Sequence, residues 1–556
     1  MRTWKKRGLY KNLSSIVYSN ISKEELEDTQ IYKIKGMEKA AKMIKDAIRS
    51  NINIVLVGDY DCDGIMASTI MYYVIKEMGG DIRVRLPLRF SEGYGLSEKI
   101  IDEVPEGSLL ITVDNGIAAN DAIKKAKEKD CKVLLTDHHL ISKNGLPEAD
   151  IIIDPTAVEG QCNFTGYCGA GIAYKLAKEL ISDKVLLRQL ESLAGIATIA
   201  DVMPLIRENR VIVKNTLNTL MDRKSIPAMN ILLECLNLEY ITAEDIGFRI
   251  GPIINASGRM YDDGAFRIFT LLTSDSKDTF ALAKKAIEVN EERKKIQNQC
   301  IDRMKKVVNT NGMENDFPLV LYGEDIPEGI IGIVAGRFAE DYKTPCLVFS
   351  DMEDIRYKKG SARSYGNINL KELLDLNSQN LYKYGGHKGA AGMTILSEQL
   401  DGLREGMKKE TQKRYIHDKN DYYDLELDEK YIPQMLKALL KFEPFGEHNP
   451  MPIFKIPNFT LNAEKGLVRI LKSENGSTHL RLEGKYASCM LFNIDEEMEK
   501  FFHKKDIPLT YEIYGTLGYN YFNGKFSNQI NLLDWKPVVK KTSMQRVLTD
   551  MSSKRY

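Results

Sequence analysis

Between about residues 37 and 205, short runs of consecutive apolar residues alternate with amphipathic stretches. Ile52–Val57, Ile82–Leu86, Leu109–Val113, Val133–Leu135 and Ile151–Ile153 are almost wholly apolar, the pattern of strands buried on both faces. Met37–Ile48 and Asn120–Lys129 carry the helical spacing of the elements between them. Strand and helix in alternation predict a parallel α/β sheet, and such sheets bind ligands beyond the carboxyl ends of their strands.

The pattern then changes. Residues 210 to 275 read as mostly helical, and Asp278 to Val308 as one long helix with Leu282, Ala286, Ile287, Ile296, Ile301 and Met304 near one side. Its Glu291-Glu292-Arg293-Lys294-Lys295 stretch reads as a solvated face, and the whole suits a connector between lobes. From Leu319 to about Leu396 the α/β character returns. Leu319–Tyr322 and Cys346–Phe349 predict strands, Gly329–Glu340 a helix, and Gly385–Gly392 a glycine-rich turn. Helical connections fill 397 to 443. Beyond Pro450 come short alternating strands at Phe454–Leu461, Leu467–Leu471, His479–Leu482, Cys489–Phe492, Leu509–Gly515 and Asn528–Leu532. Such strands with glycine turns predict a small β-barrel of the oligonucleotide/oligosaccharide-binding (OB) type.

The resulting segmentation is an N-terminal segment (1–36), an α/β catalytic domain (37–225), a helical region with the connector (226–310), a second α/β domain (311–400), a helical linker (401–449), an OB-like domain (450–540) and a basic tail (541–556). A chain of 556 residues is too long for one core. Lys+Arg and Asp+Glu stand at 78 each, so a polyanionic partner would be held by local patches rather than a global field. The eight cysteines include no close Cys-x-x-Cys pair, which disfavours a zinc ribbon or disulfide framework and points to reduced thiols. The basic start is followed by no apolar signal core, and no apolar run reaches membrane-spanning length. A soluble, cytoplasmic protein without a membrane partner is expected.

Candidate chemistry sits where the sheet should bind ligands. Asp59-Tyr60-Asp61-Cys62-Asp63-Gly64 follows the first apolar run, Val113-Asp114-Asn115-Gly116 ends another, and Asp137-His138-His139 follows Val133–Leu135. A fourth cluster, Ile199-Ala200-Asp201-Val202-Met203-Pro204, adds an acid. A single Asp at a strand end is more often a helix cap than a ligand. Two adjacent histidines out of only seven, beside parallel acidic strand ends, favour a metal site. Candidate ligands are Asp61, Asp63, Asp114, His138 and Asp201. Oxygen-rich donors with a minority of imidazole suit Mn²⁺ or Mg²⁺ better than zinc or copper. So many carboxylates suit two ions, the arrangement that activates water and clamps a phosphoryl group.

In that order, Asp-Tyr-Asp-x-Asp-Gly, Val-Asp-x-Gly, Asp-His-His and Ala-Asp-Val-x-Pro-Leu resemble the four motifs of the DHH phosphoesterase superfamily. Within it the chain is similar to the RecJ group. The further matches are Arg89-Phe-Ser-Glu-Gly-Tyr94-Gly-Leu, Gly169-Ala-Gly-Ile-Ala, Asn255-Ala-Ser-Gly-Arg259, Lys359-Gly-Ser361-Ala-Arg363-Ser, Gly-Gly-His-x-x-Ala-Ala-Gly at 385–392, and Pro444-Phe-Gly-Glu-His-Asn-Pro-Met-Pro452. The resemblance spans residues 35–540. It implies a DHH catalytic domain and a DHHA1 domain joined by the long helix, with a C-terminal OB-like domain. Asp61, Asp63, Asp114, His138 and Asp201 fall on the metal-ligand positions, and His139 on one that contacts the scissile phosphate. Arg89, Ser361 and Arg363 fall on residues that hold a 5′-terminal phosphate, Tyr94 on an aromatic beside the terminal nucleotide, and Arg259 and His387 on the cleft between lobes. Two departures stand out. Val57 replaces a histidine that many relatives carry, leaving Asp59 or water to complete one coordination sphere, and Ile326-Pro327-Glu328-Gly329 replaces a Trp-His-x-Gly.

The activity so implied is a Mn²⁺- or Mg²⁺-dependent exonuclease acting 5′→3′ on single-stranded DNA in repair and recombination. It would hydrolyse phosphodiesters with two ions and release 5′-mononucleotides. Single-strand-binding protein and a RecQ-type helicase are the protein partners the resemblance suggests. Tyr519, Tyr521 and Phe522 are candidate base platforms on the OB-like domain, against an equal case for plain packing. Tyr365, Trp4 and Trp535 read as structural aromatics. The rival readings are a DHH phosphodiesterase for short oligonucleotides or cyclic dinucleotides, and a RecJ-like binding subunit without activity.

Overall fold

A computed structural model describes residues 3–538, apart from 94, 463–466, 473–477, 493, 495, 504–506 and 523. Tyr94 and the basic tail therefore lie outside the described residues. The chain forms two compact units. One comprises Gln30–Met203 and Val211–Lys419, the other Pro204–Arg210 with the residues before Gln30 and after Lys419.

The first unit opens with a five-stranded sheet of β1 (Ile54–Val57), β2 (Ile82–Arg85), β3 (Leu109–Val113), β4 (Lys132–Thr136) and β5 (Ile151–Ile153). Every pairing is parallel, in the order β2-β1-β3-β4-β5. All side chains of β1 and β3 are buried, as their unbroken apolar runs predict. Each such residue contributes about 1.5–3 kcal/mol of burial free energy. Helix α1 (Met37–Arg49) places Met37, Ala40, Ala41, Ile44 and Ala47 on one buried stripe. The order reverses between β1 and β3, and in open α/β sheets that switch point is where a ligand crevice opens. Helices α2 (Cys62–Glu77), α3 (Asn120–Glu128), α4 (Gly169–Leu180) and α5 (Lys184–Ala200) complete this lobe.

The predicted helical stretch follows, ending in α6 (Gly251–Met260) and the connector α7 (Thr279–Thr310). Contrary to expectation, the Glu291–Lys295 stretch is not wholly solvated. Arg293 is 7% exposed, turned inward beside buried Asn290, while Glu292 and Lys295 are exposed.

The second lobe of this unit is a mixed sheet of β6 (Leu319–Tyr322), β7 (Cys346–Asp351), β8 (Tyr357–Arg363), β9 (Lys383–Gly386) and β10 (Ala390–Leu396), in the order β9-β10-β8-β7-β6. Helix α8 (Glu328–Tyr342) packs on it. The predicted glycine-rich turn proves to be mostly strand. β9 and β10 pair antiparallel, Gly385 facing Gly392, and only residues 387–389 form the connection. Glycines read as a turn because they lack strand propensity, and pairing between neighbouring strands overrides that.

In the second unit, β11 (Leu425–Glu426), β12 (Phe454–Thr460), β13 (Val468–Lys472), β14 (Thr478–Glu483), β15 (Ser488–Leu491), β16 (Thr510–Phe522) and β17 (Lys525–Pro537) form one sheet in the order β11-β12-β16-β17-β15-β14-β13. A bridge between Leu461 and Gly484 ties its two halves where the sheet curls round its core. Leu509–Gly515 and Asn528–Leu532 prove to be parts of a hairpin with two 13-residue strands, longer than the sequence runs suggest. The inward positions Phe454, Ile456, Phe459, Tyr511, Ile513 and Ile530 are wholly buried. Trp4 stacks on Tyr514 at 4.3 Å and donates to Asp534, while Trp535 packs against Phe502 and Tyr511. Both tryptophans are structural, as expected. Tyr519 packs on the core, whereas Phe522 is exposed. All eight cysteines are unpaired. Among the described residues no helix is long and apolar enough to cross a membrane.

Candidate metal and phosphate site

Three strand ends deliver the acids and imidazoles. After β1, Asp61 caps α2, its Oδ1 accepting from the amides of Asp63 (3.0 Å) and Gly64 (3.2 Å). Asp63, 1% exposed, accepts from the first amides of α4: Gly169 N at 2.6 Å and Ala170 N at 2.7 Å. A helix amino end is where a buried carboxylate is best tolerated. Asp114 follows β3 with φ of 61°, a left-handed backbone that non-glycine residues adopt rarely and Asp or Asn more readily than most. A Cβ on Gly169 would stand 2.4 Å from the Asp114 Cβ, so this position must be glycine for α4 to approach.

His138 is the hub. Its Nε2 lies 3.0 Å from Asp114 Oδ1, 3.5 Å from Asp63 Oδ2 and 3.7 Å from Asp201 Oδ2. Donor atoms of Asp63, His138 and Asp201 all fall within 4.8 Å of one another, as do those of Asp114, His138 and His139. Two overlapping groups thus share one imidazole. Of the five candidate ligands, four are brought together this way. Asp61 stands in neither group, although its charge reaches Asp63, Asp114 and Asp201. Asp59 turns its Oδ1 to the amides of Tyr60 and Gly95, and Val57 is buried in the apolar cluster with Leu96 and Ile100.

The electrostatics are one-sided. Among the described residues no Lys or Arg pairs with Asp61, Asp63, Asp114 or Asp201; His138 and His139 are the only basic groups within 4.0 Å. Burial, then repulsion from Asp63 and Asp61, lifts Asp114 well above the carboxylate range and Asp201 to about 8. Burial and Asp61 lift Asp59 to about 7. Burial lowers His138, keeping its ring in the neutral form that ligates metals. Asp114 Oδ1 is buried and makes no hydrogen bond, although His138 Nε2 lies 3.0 Å from it. Crowded acids, a neutral imidazole and an orphaned carboxylate oxygen fit a hard divalent cation.

His139 is held differently. Asp137 Oδ1 meets its Nδ1 at 2.7 Å and also takes the amides of His138 and His139, while Oδ2 accepts from Ile117 N. Burial is the largest single effect and opposes charge on His139, but the Asp137 contact together with the charges of Asp201 and Asp59 raises the imidazole to about 9. Sequence reasoning missed Asp137. It also missed Asn255, whose Oδ1 takes the Cys62 amide, and Asp262, whose carboxylate takes the amides of Phe90 and Ser91. All three lie in or near quoted motifs, and only the fold reveals their reach.

A cationic cluster flanks the acids. The Arg89 guanidinium carbon sits 4.5 Å above the Tyr60 ring. Arg363 bonds the Ser361 hydroxyl at 3.2 Å, and Arg259 donates to the Gly329 carbonyl at 3.2 Å. Burial and the charges of Arg89, Arg363 and Arg293 lower Arg259 to about 10, which places these arginines in one neighbourhood. His387 takes the Gly389 amide on Nδ1, and burial with the charges of Arg363 and His139 lowers it. Arg89, Ser361, Arg363, Arg259 and His387 therefore gather, and Tyr94 lies outside the described residues. Where 326–329 departs from Trp-His-x-Gly the glycine is kept, and Gly329 lies so close that a Cβ would stand 2.1 Å from the Arg259 carbonyl oxygen.

Residues 53–202 match the DHH family N-terminal domain, 315–413 the DHHA1 domain and 423–534 the RecJ OB domain. The single-stranded-DNA-specific exonuclease RecJ of Haemophilus influenzae is 32% identical over 405 residues, 68% of each chain. The RecJ exonuclease of Bacillus subtilis is 30% identical over 90% of this chain, which spans 64% of that relative's length. The crystal structure of RecJ from Thermus thermophilus in complex with Mn²⁺ superposes with a TM-score of 0.75 at 24% identity, covering 95% of this chain and 76% of that one. This chain belongs to the RecJ family, with its DHH, DHHA1 and OB domains in the family's order.

Proposed function

We propose that this protein is a single-stranded-DNA-specific 5′→3′ exonuclease that hydrolyses phosphodiester bonds and releases 5′-mononucleotides in DNA repair and recombination. The carrying observation is the juxtaposition of Asp63, Asp114, His138 and Asp201, whose donor atoms converge and, among the described residues, form no ion pair with a Lys or Arg, while an arginine cluster lies nearby. Two Mn²⁺ or Mg²⁺ ions would be held by Asp63, Asp114, His138 and Asp201, with Asp61 and Asp59 next to them. Such ions polarise a phosphoryl oxygen and lower the pKa of water. The names of the relatives and the Mn²⁺ and Mg²⁺ in the Thermus structures agree with this assignment.

The protein's own side chains do the rest. His139, kept protonated by Asp137, places a positive N–H beside the acidic cluster, where it can hold a non-bridging phosphate oxygen. Arg89, Ser361 and Arg363 grip a 5′-terminal phosphate, and a planar guanidinium on an aromatic face is preorganised for that grip. Arg259 and His387 border the same space, and Tyr94 is assigned to the terminal nucleotide. Exposed Phe522 on the OB hairpin offers stacking to a following base, as does the Tyr519–Tyr521 pair packed on Phe526. A RecQ-type helicase, which generates single strands, and single-strand-binding protein, which coats them, complete the proposed setting in the cytoplasm.

Strand selectivity provides the test. With Mn²⁺, a 5′-phosphorylated single strand should disappear while a blunt duplex of the same sequence persists, and chelator should stop digestion of the single strand. Equal attack on the duplex would rule the assignment out.

A further inference from the structure

The chain leaves the acidic cluster through a strained turn. Asp201 caps the end of α5, its amide donating to Ala197 O at 2.8 Å. The next two amides fold back on Ile199 O (3.1 Å) and Thr198 O (3.0 Å). That closure takes a left-handed residue at position 202, where glycine or asparagine is usual. Here it is Val202, with φ of 55°, and its side chain is 64% exposed, so packing does not hold it there. A β-branched residue on left-handed backbone relaxes unless its surroundings prevent it.

What prevents it is a buried clamp on the residues that follow. Pro204 has a ring-fixed φ, and Pro204–Arg210 belongs to the compact unit that contains the OB domain. Leu205 N donates to Glu447 O at 3.0 Å, and Asn209 Nδ2 to Pro204 O at 3.1 Å. Arg210, 1% exposed, sends Nη1 to Pro444 O (3.0 Å) and Nη2 to Phe442 O (2.9 Å) and Glu443 O (2.5 Å). Buried Asn449 donates to the Phe442 and Pro444 carbonyls as well. The 444–452 motif thus closes on one arginine. Arg207 and His448, in the two clamped segments, also hold left-handed backbone, with φ of 50° and 61°. Such strain persists where neighbouring contacts over-determine the chain. Val202 and Met203 alone separate Asp201 from the clamped segment.

We propose that Arg210 is a positioning residue for the metal centre. By anchoring Pro204–Arg210 to the 442–449 loop it keeps Val202 left-handed, and Val202 in turn fixes where Asp201 presents its carboxylate. Release of the clamp lets Val202 relax, unwinds the last turn of α5 and draws Asp201 away from His138. The assignment rests on the metal-ligand role of Asp201.

Calorimetric titration of the full-length protein with Mn²⁺ tests it, alongside circular dichroism and melting in chelator. Arg210→Lys keeps a cation but replaces two donor nitrogens with one. It should bind Mn²⁺ about tenfold or more weakly with its circular dichroism unchanged. Asn449→Ala, which weakens the same clamp without touching a charge, should shift affinity in the same direction. Val202→Gly should melt no lower than wild type in chelator, because glycine adopts the left-handed turn without being held there. The double variant Arg210→Lys/Val202→Gly should recover most of the lost Mn²⁺ affinity, while any melting deficit of Arg210→Lys persists. An arginine with a structural role alone leaves nothing for glycine to restore at the metal. Undiminished Mn²⁺ binding in Asp201→Asn would refute the ligand role and the positioning claim together. Weakened binding in Asp201→Asn would overturn the positioning claim alone if Arg210→Lys and Asn449→Ala both kept wild-type affinity, or if adding Val202→Gly restored none.

Discussion

Gly169→Ala offers a sharp test of how the acidic cluster is assembled. The added Cβ would stand 2.4 Å from the Asp114 Cβ and 2.8 Å from its Cα. Relaxed carbon contacts lie at ~3.5–4.0 Å, so more than ~1 Å must be found by moving either the start of α4 or the Asp114 backbone. Neither is free to yield. The first amides of α4 hold both oxygens of Asp63, and Asp114 already occupies a left-handed conformation. Overpacking of this kind costs ~1–3 kcal/mol of stability, and a ~1 Å displacement of reacting groups costs ~100-fold in rate. Mononucleotide release from a 5′-phosphorylated single strand should therefore fall about 100-fold or more, with Mn²⁺ affinity reduced and circular dichroism unchanged. Gly171→Ala is the matched control two residues on. Its Cβ would meet nothing nearer than 3.6 Å, so turnover should be normal and the helix slightly stabilised. Normal turnover in Gly169→Ala, with the alanine visible in a folded protein, would refute the close approach of α4 to Asp114.

Three further outcomes are expected. Asp114→Asn should abolish cleavage and weaken Mn²⁺ binding, yet raise the melting temperature in chelator by ~2 °C or more, because it relieves carboxylate repulsion while keeping a residue that tolerates the left-handed backbone. Asp137→Asn should lower kcat roughly 10- to 100-fold, the worth of a charge-assisted hydrogen bond, and make turnover fall off at lower pH as His139 loses its support. In chelator, stability should decline from about pH 5 to pH 9. Asp59, Asp201 and His139 have folded values near 7, 8 and 9, each raised above its unfolded value. Each therefore favours the fold at low pH and loses that contribution as pH rises through its folded value. Calorimetric melts across that range should show the decline in chelator and its reduction with Mn²⁺; a pH-independent melting temperature in chelator would contradict these shifts.

The parts readable from sequence were those set by repeated local pattern. Unbroken apolar runs marked the five parallel strands because both of their faces are covered, and the strand ends then located Asp63, Asp114 and His138 without any distance in hand. What escaped depended on geometry between distant segments. Arg293 sits in a charge run that reads as solvated, and the connector turns it inward. Asp137 looked like part of a loop motif, whereas its two oxygens hold an imidazole and three amides. Asp61 caps α2 through Oδ1, as a strand-end Asp often does, and lies outside the two groups of converging donor atoms. The glycine-rich 385–392 segment was misread because composition cannot show which backbone groups a neighbouring strand supplies.

The direction and product of digestion test the proposed activity most directly. Matched single strands carrying label at the 5′ or the 3′ end should be followed in Mn²⁺ at early times. The prediction is immediate release of 5′ label as a mononucleotide, with 3′ label retained in progressively shortened strands. Mononucleotides appearing first from the 3′ end, or both strands remaining intact in Mn²⁺, would contradict it.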